Sequence, residues 1–377
     1  MTDGVTAELL SKVSEIPAEQ WDALNQRGNP FVSHAFLSAL EHSGSVGPGT
    51  GWSPAPLLIR DADGVPAAAL PAYLKSHSQG EYVFDHHWAD AFHRAGGQYY
   101  PKLQIAAPFS PVPGPRLLVR DPAMALPILR AAEAVVEQNG LSSAHATFVD
   151  ETELAQFRAA GWLTRVGAQF HWQNRDYADF EGFLGALSSR KRKAIRKERA
   201  GAQSAARIEQ ISGADITSEH WDAFWIFYQD TGARKWGTPY LTRAFFDIID
   251  ATMRDNIVLF LAFAGDRPIA GALNFVGPDC LYGRYWGCTS EVPFLHFELC
   301  YYQAIDYAIA HGLARVEAGA QGEHKLARGY EAVPTYSAHY IANEGFRMAV
   351  ADFLERETQA MEREIEFLGD MAPFKKG

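Results

Sequence analysis

LLIRDADGVPAAALPAYL (57–74) and LFLAFAGDRPIAGALNFV (259–276) read alike: an apolar strand, a Gly/Asp turn, a proline, and a second strand rich in small residues. Pro66 in the first matches Pro268 in the second. Two more anchors recur in the same order. A helix closed by glycine and followed by a strand occurs as ILRAAEAVVEQNGLSSAHATFV, closing at Gly140, and as YYQAIDYAIAHGLARVEAGA, closing at Gly312. Glycine suits that place because it tolerates the left-handed backbone just past a helix end. A glycine-aromatic turn then precedes a last strand, Gly161-Trp162 before GAQFHWQN and Gly329-Tyr330 before YSAHYIAN. The repeated order predicts an internal duplication of a mixed α/β unit, each copy running helix, antiparallel hairpin, helix, strand, turn, strand. A boundary near Arg175 gives domains 1–175 and 176–377.

The copies differ in one place. From hairpin proline to closing glycine is 74 residues in the first and 44 in the second. The first copy thus carries an insertion at about 75–115, SHSQGEYVFDHHWADAFHRAGGQYYPKLQIAAPFSPVPG, too aromatic for disorder and long enough to suggest a binding loop or a cover over a sheet. As a substrate-binding loop it offers His77, Tyr82, Asp85, His86, Tyr99 and Lys102.

Composition agrees with two globular domains: 377 residues, 47% hydrophobic and 21% charged. The 34 Lys and Arg against 45 Asp and Glu give a net charge of -11, which argues against a broad nucleic-acid-binding surface and against DNA as a partner. The opening MTDGVTAELLSKVSEIPAEQW lacks a secretory pattern, and no run approaches the roughly 18 apolar residues of a membrane span, so a cytoplasmic protein is expected. Cys280, Cys288 and Cys300 form no CxxC pair and predict reduced structural thiols, with neither a disulfide framework nor a metal site.

Charge is concentrated in SSRKRKAIRKERA (188–200), where seven Lys or Arg meet one Glu, a local +6 that leaves -17 for the rest of the chain. Arg190, Arg192 and Arg196 are candidates for the phosphates of a donor, an RNA backbone or anionic lipid headgroups at a membrane face. A solvated helix face is the alternative. The C-terminal AVADFLERETQAMEREIEFLGD reads as an amphipathic helix packing on a domain.

In PFLHFELCYYQAIDYAIAHG a proline suits the first helical turn, which sets the register from Pro293. Phe294, Phe297, Tyr301, Tyr302, Ile305, Ala308 and Ile309 then share an apolar arc, with Glu298 near its middle. A carboxylate there is either a working acid or base or a structural group satisfied by an arginine. His296 falls on the opposite, solvated side. In the next strand Arg315, Glu317 and Gly319 share one face. GAQGEHKLARGY (319–330) follows at its carboxyl end, where open α/β sheets bind ligands, and brings Gln321, His324, Lys325, Arg328 and Tyr330. Its glycines permit backbone N–H groups to approach an oxyanion or phosphate. No GxxxxGK[ST] or GxGxxG occurs, which counts against nucleotide hydrolysis and dinucleotide binding.

Taken together, PFVSHAFLSALEHSG, YLKSHSQGEYVFDHHWADA, YYPKLQ, SSRKRKAIRKER, YGRYWG, FLHFELCYYQAI and GAQGEHKLARGY resemble the FemAB-like proteins, which carry two acyltransferase domains of the GCN5-related N-acetyltransferase (GNAT) type. The resemblance spans roughly 30–340 and implies tandem GNAT-like domains that move an acyl group from an activated carrier to an amine. The acyl-CoA loop usual in the superfamily is matched only loosely from Gln321 onward. Lys325 to Tyr330 looks more like the Lys-x-x-Lys/Arg-Gly-aromatic segment of Fem proteins. On this reading Glu298, Glu317, His324 and Lys325 are catalytic candidates, Tyr285 and Tyr330 join the substrate-binding set, and Gln321 and Arg328 join the donor set.

The implied co-substrate is acyl-CoA, with no tightly bound cofactor. The amine acceptor is lipid-like, such as a sphingoid base, if the aromatic residues of the insertion line its pocket. Two other readings stay open: an aminoacyl-tRNA-dependent Fem-type transferase acting on peptidoglycan precursor, and a catalytically silent binding module for cell-wall or lipid fragments. In the first copy His145 occupies the place of Glu317, so the two copies are not chemically equivalent.

Overall fold

A computed structural model describes residues 6–235, 239–319 and 322–375. They form two compact units, Met1–Gly167 with Pro334–Arg363, and Ala168–Val333 with Glu364–Gly377. Each is mixed α/β.

The first unit opens with β1 (Thr6–Leu9), α1 (Ala18–Asp22), α2 (His34–His42) and β2 (Trp52–Pro54), followed by the hairpin β3 (Leu57–Arg60) and β4 (Pro66–Leu70). Then come β5 (Ala72–Lys75), α3 (His86–Arg94), β6 (Lys102–Ile105), β7 (Leu118–Val119), α4 (Ala125–Gln138), β8 (Ser143–Val149), α5 (Leu154–Ala159) and the start of β9 (Leu163–Gln173). The second strand of the sequence hairpin divides at Pro71. Proline has no N–H to give a ladder, and here it separates β4, which joins the sheet β1-β3-β4-β7, from β5, which joins β2 and β6. Much of the insertion is structural: β6 lies within it and pairs parallel with β8, so the added material is α3 and its flanks. Helix α4 packs Ile128, Leu129, Ala132 and Val136 on Leu57, Ile59, Leu70, Ala144 and Ala146.

The second unit contains α6 (Phe180–Ala186), α7 (Ser189–Ala205), β10 (Arg207–Ser212), α8 (Ser218–Lys235), α9 (Arg243–Met253), β11 (Ile257–Ala264), β12 (Arg267–Val276) and β13 (Cys280–Cys288). It continues through α10 (Leu295–Phe297), a π-helical turn (Glu298–Tyr302), α11 (Gln303–Ala310), β14 (Arg315–Glu317), the start of β15 (Glu331–Ile341) and the end of α12 (Glu344–Asp370). Its strands run β10-β11-β12-β13-β14-β9, all neighbours antiparallel except β13 and β14. Val258, Phe260, Ala270 and Ala272 meet Ile195 and Ala202 of α7 and Leu299, Tyr302 and Ile305 in one core.

Both closing glycines take the expected left-handed backbone, Gly140 at φ 63° and Gly312 at φ 64°. Two expectations are corrected. The helix predicted from Pro293 begins at Leu295, because Phe294 sits at φ 67°, and its first stretch widens into the π turn around Glu298. The last strand of each sequence copy does not close the unit of that copy: His171 of β9 pairs with Glu317 of β14 in the second unit, and His339 of β15 pairs with His145 of β8 in the first. Period-2 alternation tells which face of a strand is buried and leaves the partner open, so a boundary read from repeat order falls near Arg175 whereas the compact units divide after Gly167 and again before Pro334.

Helix α8 crosses β13 so closely that a methyl group on Gly287 would lie 2.0 Å from the Phe227 carbonyl oxygen. Gly287→Ala is expected to lower stability in urea unfolding by about 1–3 kcal/mol, the range for overpacking. Gly369→Ala, with nothing within 4 Å in α12, should be neutral or stabilising by up to about 1 kcal/mol.

Candidate functional site

In the second unit the parallel strands stay together for three residue pairs only, Cys280 with Arg315, Leu281 with Val316 and Tyr282 with Glu317. There β14 ends. Strand β13 runs on to Cys288, and its residues 284–288 pair only with β12 among the described residues. The carboxyl ends of the strands, where the two part, are the place where open sheets take ligands.

Glu317 marks the point of parting. It is buried, its Oε1 accepts from Arg315 Nε at 3.1 Å, and its Oε2 has no hydrogen-bond partner. Burial pushes this carboxyl up to about 7 against the pull of Arg315. Beside it in register stands His171, held at about 3 by burial, with Arg315 and Lys325 adding to the effect.

The segment 319–330 folds back over this end. Lys325 is buried, donates from Nζ to the Gly319 carbonyl at 2.9 Å, and is pushed by burial down to about 8. His324 shares a 2.8 Å hydrogen bond with the Tyr301 hydroxyl. Tyr330 is fully buried, 5.5 Å ring to ring from Tyr301, and its hydroxyl has no partner. Arg328 turns inward: it donates to the His324 carbonyl and twice to Glu198, and lies 3.4 Å above the Phe297 ring. Tyr285, on the part of β13 beyond its pairing with β14, is half-buried against Tyr228. Gln321 lies outside the described residues.

Glu298 is placed as its helical register implied, and is fully buried. Arg199 grips both its oxygens at 3.1 and 3.2 Å, and Gln203 and Gln303 donate to Oε1 at 2.9 and 2.7 Å. Every lone pair that faces a donor is in use, so this carboxylate ties α7 to the π turn. Of the basic segment, Arg196 pairs with Glu181 on the surface, Arg190 is exposed and Arg192 half-buried.

The first unit treats its own parallel pair differently. Beyond Ile105 and Ala146, the chain 106–117 fills the parting: Gly114 N–H donates to the Phe148 carbonyl, Asp150 N–H to that of Gly114, and the Arg116 side chain to Thr147 and Val112. At the opposite ends of β6 and β8 lies a buried polar network. Lys102 Nζ donates to Ser78 at 2.9 Å, Glu81 at 2.7 Å and Asp85 at 2.5 Å, and the Tyr99 hydroxyl donates to Asp85 at 2.7 Å. Burial alone would raise Asp85 and lower Lys102; the attraction of Lys102 reverses the first shift, and that of Glu81 and Asp85 the second. Three of the six insertion residues, Asp85, Tyr99 and Lys102, thus come together. His77 instead bonds the Thr50 carbonyl, Tyr82 turns through φ 60°, and His86 is exposed at the start of α3.

The network includes residues that pattern reading missed, Lys75, Glu81 and His339, and His145, which it noted only as the counterpart of Glu317. A signal was present, since Ser143-Ala144-His145 and Ser337-Ala338-His339 repeat one tripeptide. The Nδ1 atoms of the two histidines are 2.7 Å apart, and each Nε2 meets its own serine at 2.8 and 2.9 Å. Tyr99 gives its proton to Asp85, so its oxygen accepts from His145 Nε2 at 3.2 Å. His145 therefore carries its hydrogen on Nε2, His339 donates from Nδ1, and Ser337 donates to His339 Nε2.

Both rings are neutral: burial lowers His145 to about 3, helped by Lys102, and lowers His339 with help from His145. A neutral buried histidine stabilises fully above its unfolded value of about 6.5 and loses that contribution, about 1.4 kcal/mol per pH unit, as pH falls towards the folded value. Glu81, Glu153 and Glu317, raised to about 7, act in the opposite sense between about 7 and 4.5. The histidine share is therefore read as a difference. Urea unfolding from pH 7 to 5 should fall more steeply for the native protein than for a His145→Gln, His339→Gln double variant; parallel curves would show that the rings are not held neutral.

Among the described residues, no three His, Cys, Asp or Glu are grouped to hold a metal, and no helix is long and apolar enough to cross a membrane. No curated protein matches the chain. Solved structures similar in fold include FemX, 13% identical at TM-score 0.55, covering 89% of this chain and 98% of that one. L-PGS from Bacillus licheniformis is 11% identical at TM-score 0.54, covering 90% and 97%. The C-terminal domain of a putative lysylphosphatidylglycerol synthetase from Agrobacterium fabrum is 11% identical at TM-score 0.53, covering 90% and 95%. The two units are thus tandem GNAT-like domains of mixed α/β fold. Residues 12–376 match the family of peptidoglycan biosynthesis/recognition proteins, and the chain belongs to the FemAB-like family.

Proposed function

We propose that the chain is an N-acyltransferase whose second unit carries the chemistry. The observation that supports this most is Glu317, a buried carboxyl raised to about 7 with one oxygen left unbonded, placed where β13 and β14 part, in a unit whose segment after β14 carries a lysine lowered to about 8. An acyl thioester, with CoA as the carrier, presents its carbonyl there. The amine of the acceptor forms the new C–N bond, and Glu317 takes the ammonium proton directly or through one water. Lys325 and backbone N–H groups of the glycine-rich segment hold the oxyanion. As the C–S bond breaks, the thiolate leaves and His324, oriented by Tyr301, returns a proton to it. Tyr285 and Tyr330 line the acceptor side. Glu298 is a positioning residue in this scheme, since its oxygens are occupied. Arg190, Arg192 and Arg196 on α7 are left for the donor or for a surface; Arg328 serves by fixing the loop.

This chemistry predicts a bell-shaped kcat/KM with limbs at about 7 and about 8. Glu317→Gln should lower kcat by about 10²–10⁴-fold, the range for a general base, and remove the acid limb; Lys325→Met should remove the alkaline limb. The assay follows thiol release and amide product by mass spectrometry over acyl-CoAs of graded length. Release without dependence on Glu317 would sink its role. Turnover of charged tRNA and not of any thioester would point to the Fem-type donor, and binding without transfer to a silent module.

A lipid-like amine as acceptor, such as a sphingoid base, is supported by the outer face of α7. Arg190, Ala194, Lys197 and Gly201 fall on one exposed stripe, with Lys193 beside it. Phe294, exposed and in a left-handed conformation, stands against Gly201, where an added methyl would be 3.4 Å from its ring. At the other end of α7, Ser188 N–H bonds the Pro373 carbonyl, close in sequence to the exposed Met371 and Phe367. Cations flanked by exposed apolar groups suit an anionic bilayer, at about 1 kcal/mol per Lys or Arg near its surface. Co-sedimentation with phosphatidylcholine–phosphatidylglycerol vesicles should exceed that with phosphatidylcholine alone. It should weaken with salt and drop about tenfold for Arg190→Ala, Lys193→Ala, Lys197→Ala combined with Phe294→Ser. Retention of those variants on the vesicles would remove this surface from the reading.

A further inference from the structure

One face of the principal sheet of the first unit is polar and yet fully covered. Tyr73 and Lys75 of β5, Lys102 and Gln104 of β6, Ser143, His145 and Thr147 of β8, and Ser337 and His339 of β15 alternate with Ala72, Leu103, Ala144, Ala146 and Ala338, which face the apolar core. Register aligns Tyr73, Gln104, His145 and His339 in one row across four strands, and Lys75 with Lys102 in the next. All are buried. A face that only had to cover a core would be apolar, because burying a polar group without a partner costs about 1–3 kcal/mol.

The network satisfies most of these groups and stops short at four atoms. Tyr73 OH, Glu81 Oε1, Asp85 Oδ1 and Gln104 Oε1 are buried without a hydrogen-bond partner. Three of the four accept only, so what the site lacks is donors. Lys75 supplies the complement. Its Nζ lies 3.7 Å over the Trp52 ring and donates to the Gln79 carbonyl at 3.2 Å, while Glu81 Oε1 stands 3.9 Å away, too far for a hydrogen bond. With the Trp52 ring and the Gln79 carbonyl each taking one, a third ammonium hydrogen has no acceptor within hydrogen-bond distance. The arrangement offers carboxylate and amide oxygens to an N–H-rich group and a lysine to an oxygen. Over it lies the segment 76–101, whose own apolar support is the small cluster around Trp88 and Tyr99; a cover with so little core opens at low cost.

We propose that this covered face binds a small primary amine bearing a hydroxyl or carboxylate oxygen on the neighbouring carbon, its ammonium directed to Glu81, Asp85 and Gln104 and its oxygen to Lys75 and Tyr73. The site stands on the first unit alone and does not require the transfer chemistry assigned to the second. An amino-alcohol headgroup is within its class, so it also deepens the lipid-amine reading.

The test is titration calorimetry on the full chain with 2-amino-1,3-propanediol and L-serine, against glycerol, which lacks the amine, and propylamine, which lacks the oxygen. Saturable binding of the first two and at least tenfold weaker binding of the controls is expected. Glu81→Gln should weaken binding at least tenfold. Since that change touches Lys102, Tyr73→Phe is the second variant: it removes a hydroxyl with no bond in the free protein, so the fold should be unharmed in thermal unfolding while affinity falls severalfold. Lys325→Met should leave binding unchanged, which separates failure here from failure of the transfer mechanism. No binding of any probe, or equal binding by glycerol, would overturn the proposal and leave internal water as the partner of the four atoms.

Discussion

The buried pair of Arg199 and Glu298 is the constraint on which the second unit turns. A carboxylate at full burial is tolerable only with its charge matched and its lone pairs occupied, and removing one partner of such a pair costs about 3–5 kcal/mol. Arg199 meets that demand from α7, reaches on to Asp306 at 2.5 Å, and lies 4.1 Å over the Phe180 ring. The neighbouring residue extends the hold. Glu198 takes two hydrogen bonds from Arg328 and one from the Tyr302 hydroxyl. Two consecutive residues of one helix therefore fix the π turn on one side and the 323–328 segment on the other, and with that segment the position of Lys325. The cations left over have no inward partner of this kind, which is why the same helix presents a basic outer face.

The two units use one topology in two ways. In each, a parallel pair is flanked by antiparallel strands, and the parallel strands diverge at their carboxyl ends. In the first unit the backbone of Gly114 and the guanidinium of Arg116 occupy the divergence and satisfy the carbonyls there. In the second, β14 stops at Glu317 while β13 continues. The residues at the matching place follow the same division: the carboxyl of Glu317 stands where β13 and β14 part, and His145, held by Ser143, Tyr99 and His339, stands within a closed network.

Local signals made much of this legible from the sequence. The hairpin of 259–276, the glycines at 140 and 312, the strand at 315–317 and the burial of Glu298 each depend on a few neighbouring residues, and each is where it was expected. What could not be read depends on distant partners. Nothing in the alternation of 163–173 or 331–341 specifies which sheet receives each strand. The run after Pro66 read as one strand, and nothing in it showed that the chain would pass to another sheet at Pro71. Nothing local marks Lys75 and Glu81; only the approach of β6 and the fold of 76–101 bury them 3.9 Å apart. The duplicated Ser-Ala-His was visible, but its meaning required β8 and β15 to be neighbours.

One physical effect sets up the chemistry assigned to the second unit. Burial disfavours charge, so it raises a carboxyl and lowers an amine. Glu317 and Lys325, far apart in water on the pH scale, are brought by the same desolvation to about 7 and about 8. Neither shift needs a dedicated charge to produce it, and Arg315, which opposes the first, keeps the carboxyl from rising further. At neutral pH a substantial fraction of molecules then holds an ionised Glu317 and a protonated Lys325, the state that the proposed mechanism needs for deprotonating an amine and stabilising an oxyanion. A more exposed Glu317 would be a weaker base, and a more deeply buried Lys325 would lose the positive charge; the proposed mechanism therefore depends on the depth at which each lies.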